Sequence, residues 1–382
     1  MTTKKKLAIL LGIMAILVAI TTIIINLSKV NRKDTRTSGQ DQEKIQVVTA
    51  FYPMYIIGLN IADHIDNVEV TNLTEPNTGC VHDYQLTTDN MKLLSDADVI
   101  IVNGGGLEGF LDEVIGNYPN LRVIDSSKGI PMLANDGHED EESHEGIESH
   151  DGDSKEAGGE IGDHPKEAGG EIGDHPKEAG GVTSDHHEHG DYNPHVWLDP
   201  QAYIQQIENV RDGLTAYIQD RNAANELTEV RAKELTTAIE QNAETYIEKV
   251  SELDRKLSEI HPEGSHQNSE KTAAEGVAIF HEAFAYLANR LGLKVEYAVE
   301  IDSESALSAS DIAQIIDLVN EGRIHYLFAE NRYGDMITAR IQGETDAEVT
   351  LLDPIVTGDG SKDSYLNSME KNIELLKTMF ES

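Results

Sequence analysis

The chain has 382 residues, enough for two domains of ordinary size with a hydrophobic core each. Its formal net charge of -39 argues against nucleic acid as a partner and favours cationic ligands and high solubility. The single cysteine, Cys80, excludes an intrachain disulfide and predicts that there is no Cys-based zinc site.

The N-terminal segment combines a basic start with a long apolar run. Three lysines, Lys4–Lys6, precede Leu7–Leu27, a run of 21 residues that is long enough to cross a bilayer as a helix. The run has neither a small-residue cleavage site nor a lipobox cysteine, so an uncleaved anchor is favoured over a cleaved signal peptide. The predicted segments are a cytoplasmic N-terminus at 1–6, a transmembrane anchor or signal at 7–27, and a polar tether at 28–44.

Residues 45–225 alternate apolar strand patterns with helical patterns. This alternation predicts an N-terminal α/β lobe with a mainly parallel sheet and helices on both faces. The predicted strands are 45–51, 68–73, 98–103 and 122–125, and the predicted helices are 53–62, 86–94, one from 108, and 203–218. Gly104–Gly106 follow the third strand but match no phosphate-binding motif, so a tight turn is expected there.

Residues 136–192 interrupt this lobe with a different composition. They hold nineteen Asp or Glu against three Lys, and the unit KEAGGEIGDHP fills residues 155–165 and 166–176. Too little apolar material is present to offset the entropy of ordering, which predicts a disordered insert. Histidine-rich tracts bind metal, so weak secondary metal binding is predicted, with a solvated acidic loop as the alternative. The histidines of the insert are His138, His144, His150, His164, His175, His186, His187 and His189.

The second half begins with a linker region at 226–260, where apolar residues recur at near-helical spacing without Pro or Gly from Leu227 onward. One or two long helices are expected there. Residues 261–382 then return to the α/β pattern and form the predicted C-terminal lobe. Its predicted strands are 276–280, 295–299, 324–329 and 348–353, and its predicted helices are 282–291, 308–321, 333–343 and 364–380. The pattern predicts two α/β lobes joined by a long helix, with a cleft between them.

Four side chains that can bind metal lie at predicted strand ends or in a stiff turn. His82, His281 and Asp353 fall at or just past predicted strand ends, and His195 lies in a turn flanked by prolines. Ligands of parallel α/β sheets bind beyond the carboxyl ends of the strands. Three imidazoles and one carboxylate suit zinc, whereas manganese would favour more oxygen. A metal site in the interlobe cleft is therefore predicted.

The chain resembles the zinc-type solute-binding proteins of bacterial ABC metal transporters, the cluster A-I family, over residues 45–382. The resemblance rests on VVTAFYP at 47–53, HDY at 82–84, ADVIIVNG at 97–104, PHVWLDP at 194–200 and HEAFAY at 281–286. It implies metal ligands at His82, His195, His281 and Asp353, and two lobes that close little on binding because a rigid helix joins them. A histidine-rich acidic insert before the second ligand is common in zinc-type members.

Three features depart from the family pattern. The apolar anchor replaces the usual lipobox, and Asn77–Cys80 stand where many relatives have a glycine-rich turn. Pro354 follows Asp353 in place of the more frequent small polar residue. Glu330 or a water is therefore the alternative fourth ligand.

The resemblance implies a function as well as a fold. The expected function is extracytoplasmic capture of zinc and its delivery to an ABC transporter permease, by a monomer that is attached to the cell membrane through its N-terminal helix and is not an enzyme. A manganese-type binding protein or a surface adhesin of the same fold are the alternatives. A zinc hydrolase with a metal-bound water is a further one, although the chain contains no H-E-x-x-H motif.

Overall fold

The computed structural model describes most of the region in which α/β patterns were predicted. The described residues are 44–82, 84–134, 192–261, 275–299, 308–330 and 340–381. The predicted anchor at 7–27, the eight histidines of the insert and most of the predicted helix at 333–343 lie outside them. Within the described ranges, no helix is both long and apolar enough to cross a membrane.

The first sheet has the strand order β2-β1-β3-β4, and all its strands are parallel. Its elements are β1 Ile45–Thr49, α1 Tyr52–Ile61, β2 Val68–Asn72, α2 Thr88–Asp96, β3 Val99–Val102, α3 Gly109–Ile115 and β4 Arg122–Asp125. All four residues of β3 are buried, as expected for an inner strand of a parallel sheet covered on both faces. Thr87 begins α2 with a capping box that it shares with Asn90.

The second sheet repeats this arrangement with the order β6-β5-β7-β8, again wholly parallel. Its elements are β5 Gly276–Phe280, α6 Ala285–Arg290, β6 Lys294–Val299, α7 Ala309–Asn320, β7 Tyr326–Glu330, β8 Glu348–Leu352 and α8 Ser364–Phe380. The chain builds outward from β5 in one direction and then resumes at β7 on its other side. The carboxyl ends of β5 and β7 therefore form a topological switch point, where ligands of such sheets bind.

Two long helices, α4 (Pro200–Ala223) and α5 (Glu229–Ser258), connect the two sheets along the chain. Asp199 caps α4 by accepting a hydrogen bond from the amide of Gln201, and Thr228 caps α5 through its hydroxyl. The predicted linker region thus forms a single helix of 30 residues, about 45 Å long at the usual rise per residue. It buries a stripe of eight residues: Ala232, Leu235, Ile239, Ala243, Tyr246, Val250, Leu253 and Leu257.

Helix α5 is bonded to both halves of the molecule. In its middle, the Asn242 amide donates to the carbonyls of Ile61 and Asp63, at 3.0 and 2.8 Å, beyond the end of α1. Near its C-terminus, the Lys256 ammonium lies 2.7 Å from both carboxylate oxygens of Glu370 on α8. The helix is therefore fixed against an element of each lobe.

A cluster of buried tyrosines joins the lobes at their centre. The Tyr203 ring of α4 stacks on Tyr365 of α8, with a centroid distance of 3.7 Å, and its hydroxyl lies 3.2 Å from that of Tyr246 on α5. The Tyr52 hydroxyl of α1 lies 2.8 Å from the Ser364 hydroxyl. Because these hydrogen-bonded rings belong to one continuous core, rotation of one lobe against the other would expose buried polar groups.

Candidate metal centre

The turn that carries His195 is held from both lobes. In the first lobe, the Asn103 side chain, just after β3, donates to the Pro194 carbonyl at 2.9 Å. In the second lobe, the Tyr286 hydroxyl donates to the Asn193 carbonyl at 2.7 Å. The turn is therefore fixed in position before any ligand binds.

Trp197 ties the same turn to the C-terminal part of the chain. The indole is completely buried, its Nε1 donates to the Pro354 carbonyl at 2.9 Å, and its own carbonyl accepts from the Tyr365 hydroxyl at 2.8 Å. Burial of a large aromatic ring with its polar atom satisfied gives a rigid anchor. The only tryptophan of the chain thus positions the histidine two residues before it.

The hydrogen bonds of Asn193 fix the orientation of the His195 ring. The Asn193 amide nitrogen donates to the Glu282 carbonyl at 2.9 Å, so its oxygen faces His195. This oxygen lies 2.9 Å from His195 Nδ1, which must therefore carry the ring proton. The Nε2 lone pair is left free for a metal, in the manner by which outer partners orient histidine ligands.

His281 follows β5 directly and has an unusual backbone. Its φ of 111° is rarely adopted by a residue with a side chain, and such conformations cost roughly 1–3 kcal/mol. The conformation is held because the His281 amide donates to Val299 and its carbonyl accepts from Phe284, both at 3.2 Å. This backbone conformation, at the end of β5, places the imidazole at the switch point of the second sheet.

Glu330, the last residue of β7, lies beside this imidazole. Its Oε1 is 2.8 Å from His281 Nδ1, and both side chains are more than nine-tenths buried. β5 and β7 are adjacent strands, which explains why their ends bring the two residues together. A buried carboxylate next to an imidazole orients the ring and raises its basicity.

The loop after β2 supplies the first-lobe residues of the centre. Gly79, with φ of 87°, allows the turn that precedes Cys80, and Val81 is completely buried. His82 is exposed, and its Nε2 lies 3.5 Å from His195 Nε2. The Cys80 sulfur lies 3.4 Å from the same nitrogen.

The structure therefore brings the three predicted histidines together. We name His82, His195 and His281 the histidine cluster. The His195 ring centroid lies 4.9 Å from that of His281 and 5.3 Å from that of His82. Ligand atoms of Cys80, His195 and His281 all lie within 4.8 Å of one another.

The electrostatics of the cluster follow from burial and mutual contact. Burial raises the pKa of the Cys80 thiol, but His195 and the other imidazoles outweigh it and hold that pKa well below its ordinary value. Burial lowers the pKa of His281, but Cys80 and Glu330 raise it overall to about 10. Burial is the main cause of a lowered pKa at His195. The metal-free centre thus carries a positive charge on His281 between two groups that can be negative.

Asp353, the fourth ligand predicted from the sequence, has its carboxylate engaged elsewhere. One oxygen accepts from the Ile355 amide and the other from the Ser368 hydroxyl, both at 2.8 Å. Ile355 has a φ of 59°, so these bonds support a strained turn. Asp353 lines an open pocket that also contains Glu330, but its oxygens are not among the atoms gathered around His195.

Cys80 is the residue of the centre that the sequence did not single out. A lone cysteine lacks the paired spacing of cysteine zinc sites, and the composition argued against one. The available signal was its position two residues before His82, in the loop that departs from the glycine-rich turn of relatives. The contact that gives it a role joins residues 115 positions apart, which no local pattern reveals.

Two α/β lobes that share a core and gather imidazoles at their strand ends define a metal-binding solute-binding protein. The model of the ZnuA family, described as the periplasmic component A of a zinc-uptake complex, matches residues 47–379. The chain belongs to this family, and the resemblance inferred from the sequence is confirmed.

The individual relatives share only a low sequence identity with this chain. The zinc-binding lipoprotein AdcA of Streptococcus pneumoniae (strain ATCC BAA-255 / R6) is 26% identical over 344 residues, which cover 88% of this chain and 56% of AdcA. The chain thus spans little more than half the length of that relative. The iron-binding protein YfeA of Yersinia pestis is 24% identical over 341 residues, with 88% and 87% of the two chains covered.

A solved structure gives the same fold. The Zn(II)-bound ZnuA-like domain of Streptococcus pneumoniae AdcA matches with a TM-score of 0.59 and 21% identity, covering 89% of this chain and 100% of that domain. The predicted two-lobed α/β architecture is therefore confirmed.

Proposed function

We propose that the chain captures extracytoplasmic zinc at the histidine cluster and delivers it to the permease of an ABC transporter. The observation that carries this proposal is the contact of the buried His195 imidazole with those of His82 and His281, which come from separate parts of the chain. Family membership supports a transport role, since the family is one of uptake components rather than enzymes.

The spacing of the ring nitrogens suits zinc. Zinc–nitrogen bonds of 2.0–2.1 Å in a tetrahedron place two ligand nitrogens about 3.3 Å apart. The Nε2 atoms of His82 and His195 are 3.5 Å apart. A zinc ion therefore needs only a small adjustment of these side chains to bind both.

The donor set, more than the family, supports zinc as the cargo. Relatives include one named zinc-binding and another named iron-binding, so membership leaves the metal open. Imidazole nitrogen suits zinc, whereas manganese favours carboxylate, carbonyl and water oxygen. In this chain two of the carboxylates near the cluster already have partners, Glu330 at His281 and Asp353 at Ser368.

Zinc enters and leaves on the side of His82. His195 is completely buried and His281 is 7% exposed, whereas His82 is exposed. The core shared by the lobes opposes a large closing motion. We infer that exchange with the permease involves movement of the loop around Cys80 and His82 more than rotation of the lobes.

The proposal places the metal centre outside the cell membrane. The apolar run at Leu7–Leu27 would hold the chain at the membrane, as a lipid does in a relative named a lipoprotein. Cell fractionation should find the chain in the membrane fraction. A soluble mature form beginning after residue 27 would show that the run is a cleaved signal.

Uptake of radioactive zinc under zinc limitation tests the function. Cells without the gene should take up less zinc, and the wild-type chain should restore uptake, whereas His195→Ala and His281→Ala should not. His325→Ala is the matched control, because His325 is an exposed histidine just before β7, at the end of the strand opposite Glu330. Equal restoration by all these variants would contradict the proposal.

A further inference from the structure

We propose that Cys80 binds the metal directly through its sulfur, so that the ion is held by three imidazoles and one thiolate. The inference rests on the proposed function only in taking a metal ion as the cargo. It replaces the carboxylate expected from the sequence by the one thiol of the chain.

The position of the sulfur relative to His195 is that of a second ligand of the same ion. Zinc–sulfur bonds of about 2.3 Å and zinc–nitrogen bonds of about 2.05 Å in a tetrahedron place sulfur and nitrogen about 3.5 Å apart. The observed distance between Cys80 Sγ and His195 Nε2 is 3.4 Å. The same nitrogen lies 3.5 Å from His82 Nε2, so it has two neighbouring atoms at distances that fit ligands of one ion.

The surroundings of Cys80 include ring nitrogens, which a cysteine that only fills apolar space would not contact. A buried cysteine that fills space behaves as a small apolar side chain and packs against carbon. Cys80 packs against the apolar core, but its sulfur also lies 3.4 Å from His195 Nε2 and interacts with the imidazoles of His82 and His281. The apolar anchor of this loop is its neighbour Val81, which is completely buried.

The nearby carboxylates have other partners. Glu330 Oε1 lies 2.8 Å from His281 Nδ1, at the distance of an ion pair. The two oxygens of Asp353 accept from the Ile355 amide and the Ser368 hydroxyl. Among the described residues, Cys80 forms one close group of possible ligand atoms with His195 and His281, and His82 Nε2 lies 3.5 Å from His195 Nε2.

A sulfur ligand has a consequence for metal selection. Thiolate is a soft donor that favours zinc, cadmium and cuprous copper and disfavours manganese. Cys80 would thus exclude manganese from a fold whose relatives bind different metals. Replacing the sulfur by oxygen should lower the ratio of zinc affinity to manganese affinity by about tenfold or more.

The test uses the full chain loaded with one equivalent of Co(II) or Cd(II), with absorption spectra recorded. Because Cys80 is the only cysteine, a thiolate-to-metal charge-transfer band in the ultraviolet can come from no other residue. We expect this band in the wild-type protein and in Asp353→Asn. Cys80→Ser should lose it completely while keeping the visible Co(II) bands that imidazole ligands produce. Those retained bands, with an unchanged circular dichroism spectrum, would show that the variant folds.

The possible results separate this inference from the proposed function. Tight Co(II) binding to the wild-type chain without a charge-transfer band would overturn the role of Cys80 and leave zinc capture standing. Failure of the wild-type chain to bind zinc or Co(II) tightly would overturn both. A band that persists in Cys80→Ser would also contradict the assignment.

Discussion

The two lobes share one strand order but present their metal-binding side chains differently. The second lobe places His281 immediately after β5 and Glu330 at the end of β7, both buried. The first lobe presents Cys80 and His82 on the long loop between β2 and α2, with His82 exposed. The difference supports the proposal that metal exchanges on the side of the first lobe.

The same difference appears in the charge of the two halves. In the second lobe, burial lowers the pKa of His281, but Cys80 and Glu330 raise it to about 10, so a metal must displace a proton there. In the first lobe, burial lowers the pKa of His82, but Cys80 outweighs it and raises that pKa above its ordinary value. The two lobes should therefore respond to pH, and to substitution, by different amounts.

The largest expected effect is that of pH. Bound histidines are neutral, so the proton on His281, whose pKa is about 10, must leave when zinc binds. Zinc affinity should fall about tenfold per unit as the pH decreases from about 9 to 7, and more steeply once His82, whose pKa is raised, also becomes protonated. Competition titrations from pH 6 to 9 check this, with calorimetry in several buffers to count released protons. An affinity that does not change above pH 7 would mean that His281 is neutral before zinc binds.

Substitution of a histidine of the cluster should have the next largest effect on zinc affinity. Structural zinc sites have apparent binding free energies of roughly 10–16 kcal/mol over four ligands, so one ligand contributes about 3 kcal/mol, or roughly 100- to 1000-fold in affinity. We expect losses of this size for His195→Ala and His281→Ala, and a loss at the lower end for the exposed His82. Competition titration measures them, with His325→Ala as the control. A larger loss at His82 than at His281 would reverse the comparison between the lobes.

Glu330→Gln should have a smaller effect. The amide keeps an acceptor near His281 Nδ1 but loses the charge, and loss of an outer partner of a zinc ligand typically costs 10- to 100-fold in affinity. Because the pKa of His281 should fall, the pH dependence above pH 7 should become flatter. A loss as large as that of His281→Ala, with an unchanged pH profile, would instead identify Glu330 as a direct ligand.

Asp353→Ala should have the smallest effect on metal binding, less than tenfold in affinity. Its main effect should be on stability, because the Ile355 amide and the Ser368 hydroxyl lose their acceptors, at about 1–3 kcal/mol. Chemical denaturation and zinc titration of the same variant separate these effects, and Ser368→Ala, which removes only one of the bonds, is the matched control. If Asp353→Ala weakened zinc binding more than any histidine substitution, the carboxylate would have to be a ligand.

The sequence predicted the sheets better than it predicted the complete site. Apolar runs placed each of the eight strands within two residues of its observed bounds, because burial on both faces leaves a continuous signal. The strand-end rule also anticipated that His281 would face the interlobe centre. The hydrogen bonds of Asp353 could not be predicted, since one of them comes from Ser368 of the next helix, and its role as a ligand stays a prediction. Cys80 was missed because its partners are distant in the chain.

The central claim is that the histidine cluster, and not the eight histidines of the insert, forms the tight zinc site. Residues 137–190 can be deleted without pulling the two ends of the chain together, because the residues on either side of the segment are already paired. Ala134 and Tyr192 form an antiparallel bridge, and the Asn193 amide donates to the Leu133 carbonyl at 2.8 Å.

Zinc competition titrations of the full chain and of the deleted chain test the claim most directly. The account predicts that the deleted chain binds one zinc per chain with unchanged affinity and loses only the weak additional ions. Loss of tight binding on deletion, with the protein still folded, would contradict the assignment of the site.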